Sequence, residues 1–231
     1  MAVADPTLQL ELELFADGAR FVIGCDEVGR GAIAGPVAVG MCAIDTSSGP
    51  NPEGLRDSKM LSEKRREELA PRAVDWALHS AVGLASAEEV DRLGITACLG
   101  LAGKRALVAL HASGLRILDS VIVLDGRHDW LNPALASPVT VRTQVKADRD
   151  CASVAAASVI AKVHRDRLMI ESDAIEPGYG WSGNKGYGSA GHFAAIERLG
   201  TASIHRLTWL KAPAPRASAD LPSPALRSET A

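Results

Sequence analysis

No two cysteines stand at C-x-x-C spacing in this chain of 231 residues; Cys25, Cys42, Cys98 and Cys151 are scattered singly. That pattern excludes a cysteine zinc site and a disulfide framework, and predicts four small apolar residues in the interior. No uninterrupted apolar run of about eighteen residues is present to span a bilayer. The acidic start, Met1 to Glu13, lacks the basic region of a secretory signal, so a cytoplasmic protein with no membrane association is expected. There is no Gly-Lys-Ser/Thr phosphate loop, no His or Cys cluster and no internal repeat. A basic surplus is missing as well: the formal net charge of −3 argues mildly against a general nucleic-acid binder. Lys64-Arg65-Arg66, the run from Lys162 to Arg167, and Lys185 are candidate basic patches, although any one of them reads first as a solvated face.

What is present suffices for one sizeable core, with 47% hydrophobic and 23% charged residues. Phe21 to Cys25 is an apolar run that ends in Asp26-Glu27, and Val37 to Ile44 reads as a second strand. Ser62 is a plausible N-cap for a helix passing Pro71 to Leu78. A strand is expected over Ala81 to Ala85, a short helix over Glu88 to Leu93, and a longer helix over Ile95 to Ala112 that Gly114 ends. Ile117 to Leu124 contains Val121-Ile122-Val123-Leu124, a continuous apolar run fit for a strand covered on both faces, and ends in Asp125-Gly126. Val139 to Val145 alternates as a strand and leads to Lys146-Ala147-Asp148. Cys151 to Ile170 is Ala-rich and helical, 177–191 is a glycine-rich loop, and His192 to Leu199 is a short helix. From Ala212 onward Pro, Ala and Ser dominate without periodicity, which predicts disorder.

Three strands therefore end in acids, at Asp26 and Glu27, at Asp125 and at Asp148. Taken alone, an Asp-Glu pair is most often a solvated surface feature, and Asp125-Gly126 a turn. Taken together, they can converge, because ligands in open α/β sheets collect beyond the carboxyl ends of strands. Four carboxylates repel one another unless a cation or proton neutralises them. All-oxygen donors suit Mg²⁺ or Mn²⁺, ions that bridge to substrate phosphates and support phosphodiester hydrolysis. Gly29-Arg30-Gly31-Ala32-Ile33-Ala34 also fits the G-x-G-x-x-A pattern of dinucleotide-binding folds. That pattern must open a helix, whereas Pro36 and a strand follow here.

These residues carry a resemblance to a known family. Asp26-Glu27-Val28-Gly29-Arg30-Gly31 followed by Ala34-Gly35-Pro36-Val37, then Asp57-Ser58-Lys59-Met60-Leu61, Leu124-Asp125-Gly126, Lys146-Ala147-Asp148, Ala155 to Lys162 and Asn184-Lys185-Gly186-Tyr187 occur in the order of the bacterial ribonucleases HII, over roughly Phe21 to Lys211. The chain resembles that family. The resemblance implies a ribonuclease H-like α/β fold, with a central mixed five-stranded sheet flanked by helices and a small helical C-terminal region. Its first strands should form an antiparallel meander and its later ones join in parallel through helices. The implied activity is endonucleolytic hydrolysis of RNA in RNA–DNA hybrids and incision 5′ of ribonucleotides embedded in duplex DNA.

By the same resemblance Asp26, Glu27, Asp125 and Asp148 match the metal-binding catalytic acids, with Mg²⁺ or Mn²⁺ as cofactor. Gly29, Arg30 and Gly31 match the turn that contacts the ribose 2′-hydroxyl, Lys59 a phosphate contact, and Tyr187 the tyrosine at the ribonucleotide–deoxyribonucleotide junction. Asn184 and Arg127-His128 depart from the commoner family residues without touching the acids. The expected organisation is an N-terminal extension over 1–19, a catalytic domain over 20–211 acting as a monomer, and a tail over 212–231.

Overall fold

The structure is a computed structural model that describes residues 5–210; the tail expected over 212–231 lies outside the described residues. Five strands, β1 (Phe21–Val28), β2 (Val37–Ile44), β3 (His79–Ala85), β4 (Ser120–Asp125) and β5 (Thr140–Gln144), form one sheet in the order β3-β2-β1-β4-β5. β1, β2 and β3 pair antiparallel as a meander, and β4 joins β1 and β5 joins β4 in parallel. This is the mixed topology expected, except that β4 and β5 are joined not by a helix but by a loop with one 3-10 turn, Asn132–Ala134.

Both faces of the centre are covered, which is why β2 is buried along its whole length. On one face α4 (Ile95–Ala112) packs over β2 and β3, closing a core that holds Ile23, Cys25, Met41 and Leu124. α4 is long and apolar, but Lys104 and Arg105 interrupt it and its buried face lies on the sheet. On the other face lie α2 (Glu63–Trp76), capped by Ser62 Oγ on the Arg65 amide, and α6 (Ala152–Ile175), around Val22, Ile44, Val123 and Val154. Each such aliphatic side chain stabilises the fold by ~1.5–3 kcal/mol when fully buried. Two strand glycines let the Ala-rich α6 lie directly on the sheet: a Cβ on Gly24 would stand 2.1 Å from the Ser153 carbonyl carbon, and one on Gly40 2.4 Å from the Ala157 oxygen. All four cysteines are buried and free.

Several boundaries differ from expectation. Ile117–Asp119 is a 3-10 turn before β4, α6 runs on to Ile175, and the glycine-rich loop contains a short helix, α7 (Trp181–Asn184). A helix unmarked by any sequence signal, α1 (Gln9–Ala16), lies in the segment expected as an extension. Its Leu14 enters the second core, and buried Glu11 accepts from the amide and hydroxyl of Ser153 at 2.9 and 2.7 Å, capping α6 from outside. Completing the helices are α3 (Ala87–Leu93), α5 (Ala147–Asp150) and α8 (Ala190–Leu199). A third, smaller cluster built from Ile33, Ala34, Met169, Trp181 and Ile196 fastens α7 and α8 beside the end of β1.

Candidate active site

β1 and β4 run side by side in parallel, with Cys25 opposite Leu124 and both in the α4-side core. Because side chains alternate along a strand, the next residues, Asp26 and Asp125, emerge together on the α6 side. β5 ends nearby, and Lys146, at φ 63°, turns the chain sharply into α5. The Ala147 amide donates to Asp125 Oδ1 at 2.8 Å, tying the start of α5 to the end of β4. Buried Asp148 receives the Lys59 ammonium on Oδ2 at 3.0 Å. Lys59 sits in a 3-10 turn (Ser58–Met60) that the Asp57 side chain caps, and Ser58 Oγ lies 2.9 Å from Ser158 Oγ on α6.

The acids load this corner with negative charge. Asp26 Oδ1 accepts from the Glu27 amide at 2.8 Å, but Oδ2 is buried without a hydrogen-bond partner among the described residues. Burial pushes the Asp26 carboxyl up to about 8, helped by Glu27 and Asp125 and opposed by the Ser158 hydroxyl and Lys59. Asp125 is also raised, first by burial and then by the charge of Asp148. Burial works against the Lys59 charge, yet Asp148 and Asp26 outweigh it and drive its pKa up. Among the described residues no three acid, His or Cys side chains already surround one point: Glu27 is turned to Arg30 at 3.2 Å, Asp148 to Lys59 and Asp125 to the Ala147 amide. The donor set nonetheless fits a hard divalent cation, being all carboxylate, mutually repulsive and holding one buried oxygen with nothing to bind.

A cleft of about 200 Å³ opens over Asp26, Glu27 and Asp125 and is walled by Gly29, Arg30, Gly31, Lys59 and Tyr187. Every residue expected in the site except Asp148 lines this cleft, and Asp148 is joined to it through Lys59. Tyr187 is partly exposed, and the Arg165 guanidinium lies 5.6 Å from its ring centroid. The turn from Gly29 to Pro36 opens no helix; it leads into β2, so the dinucleotide pattern has no structural counterpart.

Side chains that the sequence did not single out also meet here. Lys162 lines the cleft while donating to Asp166, and Arg165 is fully buried, so of the run from Lys162 to Arg167 only His164 and Arg167 face solvent. Lys185 is also buried, bonded to the Ser182 carbonyl and to Glu63, and is not a free basic patch. Arg206, fully buried far along the chain, reaches back to the glycine turn. Lys162 stands at the end of the quoted Ala155 to Lys162 motif; nothing in the local pattern marks Arg206.

A sheet of this order with carboxylates at adjacent strand ends beside a glycine turn defines a ribonuclease H-type nuclease, and the solved structures agree. The chain is similar to the ribonuclease H2 of Pyrococcus horikoshii, with a TM-score of 0.64 and 30% identity over 82% of this chain and 93% of that one. The chain belongs to the ribonuclease HII family, whose model, Ribonuclease HII, matches residues 23–212. A ribonuclease HII of Streptomyces avermitilis is 47% identical over 90% of this chain and 85% of its own length. One of Thermus thermophilus is 42% identical over 80% and 84%. The protein is thus a ribonuclease H, a nuclease enzyme.

Proposed function

We propose that the enzyme hydrolyses the RNA strand of RNA–DNA hybrids and cuts duplex DNA 5′ of embedded ribonucleotides, leaving 5′-phosphate and 3′-hydroxyl ends. The observation that carries this is the convergence of Asp26, Glu27 and Asp125 on one cleft with a backbone turn able to approach a sugar and a partly exposed tyrosine. Asp26, Glu27, Asp125 and Asp148 would hold Mg²⁺ or Mn²⁺. Bound there, a divalent cation would supply an activated water and charge stabilisation at the departing oxygen.

The chain's own residues supply the rest. Lys59 offers a point charge for a phosphate, and Lys162 a second one at the cleft wall. Gly31 has open space where a Cβ would stand, so the turn can come close to a ribose 2′-hydroxyl, the group that separates RNA from DNA. Tyr187 presents a flat ring to the sugar at the junction. We assign the chemistry to 20–211, acting as a cytoplasmic monomer in ribonucleotide removal and primer processing.

The test is incubation with a duplex carrying one ribonucleotide, with Mg²⁺ or Mn²⁺, followed by mapping of the cut. A single incision 5′ of the ribonucleotide that depends on the cation is expected. Cleavage of an all-DNA control at the same rate would overturn the substrate assignment, and undiminished cleavage in chelator would overturn the metal assignment.

A further inference from the structure

Two arginines behind the glycine turn have no carboxylate partner among the described residues. Arg165 and Arg206 are both fully buried, and among the described residues neither forms a salt bridge. Leaving a guanidinium buried without hydrogen bonds is costly, so the destination of their N–H groups is informative. Every one found goes to a backbone carbonyl. Arg206 donates from Nη2 to Gly29 O at 2.8 Å and Gly35 O at 3.1 Å, from Nη1 to Arg30 O at 3.0 Å, and from Nε to Gly35 O at 3.2 Å. Arg165 donates from Nε to Pro36 O at 2.8 Å, from Nη2 to Ala34 O at 3.1 Å, and from Nη1 to Lys185 O at 2.8 Å, two residues before Tyr187.

The consequence for the turn follows from peptide geometry. No peptide bond here is cis, and in a planar trans peptide the N–H points opposite to the C=O. With the carbonyls of Gly29 and Arg30 drawn to Arg206, the amides of Arg30 and Gly31 point the other way. The later amides of the turn are already engaged: Ala32 donates to Gly29 O, Ile33 and Ala34 to Gly186 O, and Gly35 to Ile204 O. Those of Arg30 and Gly31 have no partner among the described residues. Two adjacent unpaired amides at the wall of a cleft are a ready site for an oxygen acceptor.

We propose that Arg165 and Arg206 are positioning residues for ribose recognition, holding the carbonyls of the Gly29–Pro36 turn from behind so that the Arg30 and Gly31 amides are presented to a 2′-hydroxyl oxygen. Arg165 also ties this turn to the Tyr187 loop, through Lys185 O and its position by the Tyr187 ring. The steric fit is close: a Cβ on Gly29 would stand 2.1 Å from Arg165 Nε. A lysine keeps the charge but replaces a planar fork with a single ammonium, and cannot hold the same set of carbonyls. The proposal rests on the assignment of this cleft to ribonucleotide cleavage.

The test compares Arg206→Lys and Arg165→Lys with the wild type. Affinity is measured in chelator for two otherwise identical duplexes, one all DNA and one with a single ribonucleotide. The ratio of the two affinities is insensitive to the fraction of protein that is folded, so a purely structural loss leaves it unchanged. Loss of one or two amide hydrogen bonds predicts a fall of about tenfold in that ratio, with all-DNA affinity nearly constant. A wild type with no preference overturns the substrate assignment itself. A wild type with the preference, matched by either folded variant, overturns the role of that arginine. Should neither variant fold, ¹⁵N-labelled wild type decides: the Arg30 and Gly31 amide signals must move with the ribonucleotide duplex and not with the all-DNA duplex, and unmoved signals overturn the proposal.

Discussion

The Lys59 ammonium sits 3.0 Å from Asp148 Oδ2, bringing a cation to the acid cluster from a turn 89 residues earlier in the chain. The lysine side chain remains largely exposed, so it can face both the carboxylate and an incoming phosphate. Lys59→Met should weaken substrate binding and lower the slope of log affinity against log salt by about 0.9, the value for one phosphate contact. Fluorescence anisotropy over a salt series measures it. An unchanged slope would restrict Lys59 to holding Asp148.

Replacing acids separates chemistry from stability. Asp125→Asn keeps the shape and removes the charge, and cleavage should fall by orders of magnitude with little change of fold. Asp26→Asn should do the same and also raise the melting temperature of metal-free protein. With its pKa raised to about 8 from 3.8, Asp26 contributes stability that is full below about pH 3.8, declines as pH rises, and is gone above about pH 8. Asparagine cannot ionise, so the melting temperature above pH 8 should rise by roughly 2–6 °C. A lower melting temperature there would show that the buried charge is not a liability.

The sheet was legible because each strand carried its own signature: alternation in β5, continuous apolar runs in β2 and β4, and acids at the ends. Convergence of the acids was expected only from their places at strand ends; the parallel pairing of β1 with β4, which puts Asp26 and Asp125 on one face, came from the structure. The sequence could not show which charges turn inward. Arg165 lies in a run of charged residues whose local pattern is that of a wet face, and only the carbonyls of a turn far away in sequence make its burial tolerable. α1 was illegible for a similar reason. Its acidic residues suggest exposure, yet Glu11 is buried because the α6 N-terminus, contributed from elsewhere in the chain, supplies its hydrogen bonds.

A histidine pair beneath the Tyr187 loop should make stability sensitive to acid. His192 Nδ1 lies 2.9 Å from Tyr187 O, the Trp181 indole donates to His192 Nε2 at 3.0 Å, and His205 Nε2 lies 3.1 Å from the same nitrogen. The Ala202 amide donates to His205 Nδ1 at 2.8 Å. With both rings neutral, the His205 Nε2–H and the Trp181 indole therefore share the one lone pair of His192 Nε2, and no acceptor is left for a further proton. Burial lowers both pKa values below 6.5. The unfolded chain therefore takes up protons first as pH falls. Stability from this source is complete above about pH 6.5 and declines below it, by up to about 1.4 kcal/mol per histidine per pH unit. Urea melts between pH 7.5 and 5 should show the decline, and His192→Gln should flatten it; parallel curves would exclude the pair.

Two glycines of the same turn should respond differently to a methyl group. Gly29 has φ 81° and would collide with Arg165, so Gly29→Ala should cost stability. Gly31 meets nothing within 4 Å, so Gly31→Ala should melt within a few degrees of wild type and yet lose cleavage by about tenfold or more. Comparing melting temperature with kcat/KM checks both. Full activity in Gly31→Ala would remove close sugar approach from the mechanism.

Tyr187 offers the clearest separation of anchoring from recognition. Its backbone is held independently of its ring: the amide donates to Asn184 O at 2.9 Å, and the carbonyl accepts from Ser189 at 2.9 Å and faces His192 Nδ1. The residue as a whole is 39% exposed. Its contact with Arg165 is at the distance of a weak cation–π interaction, so removing it should leave the loop in place. A ring stacked on the deoxyribose beside a ribonucleotide would be worth ~0.5–1.5 kcal/mol, or about 2–10-fold in rate at that junction. A long hybrid offers many successive RNA sites with no such junction. Tyr187→Ala should therefore lose several-fold more activity on a single embedded ribonucleotide than on the hybrid, with a melting temperature near wild type. Equal losses on both substrates together with a large drop in melting temperature would make Tyr187 a packing anchor and take it out of the recognition site.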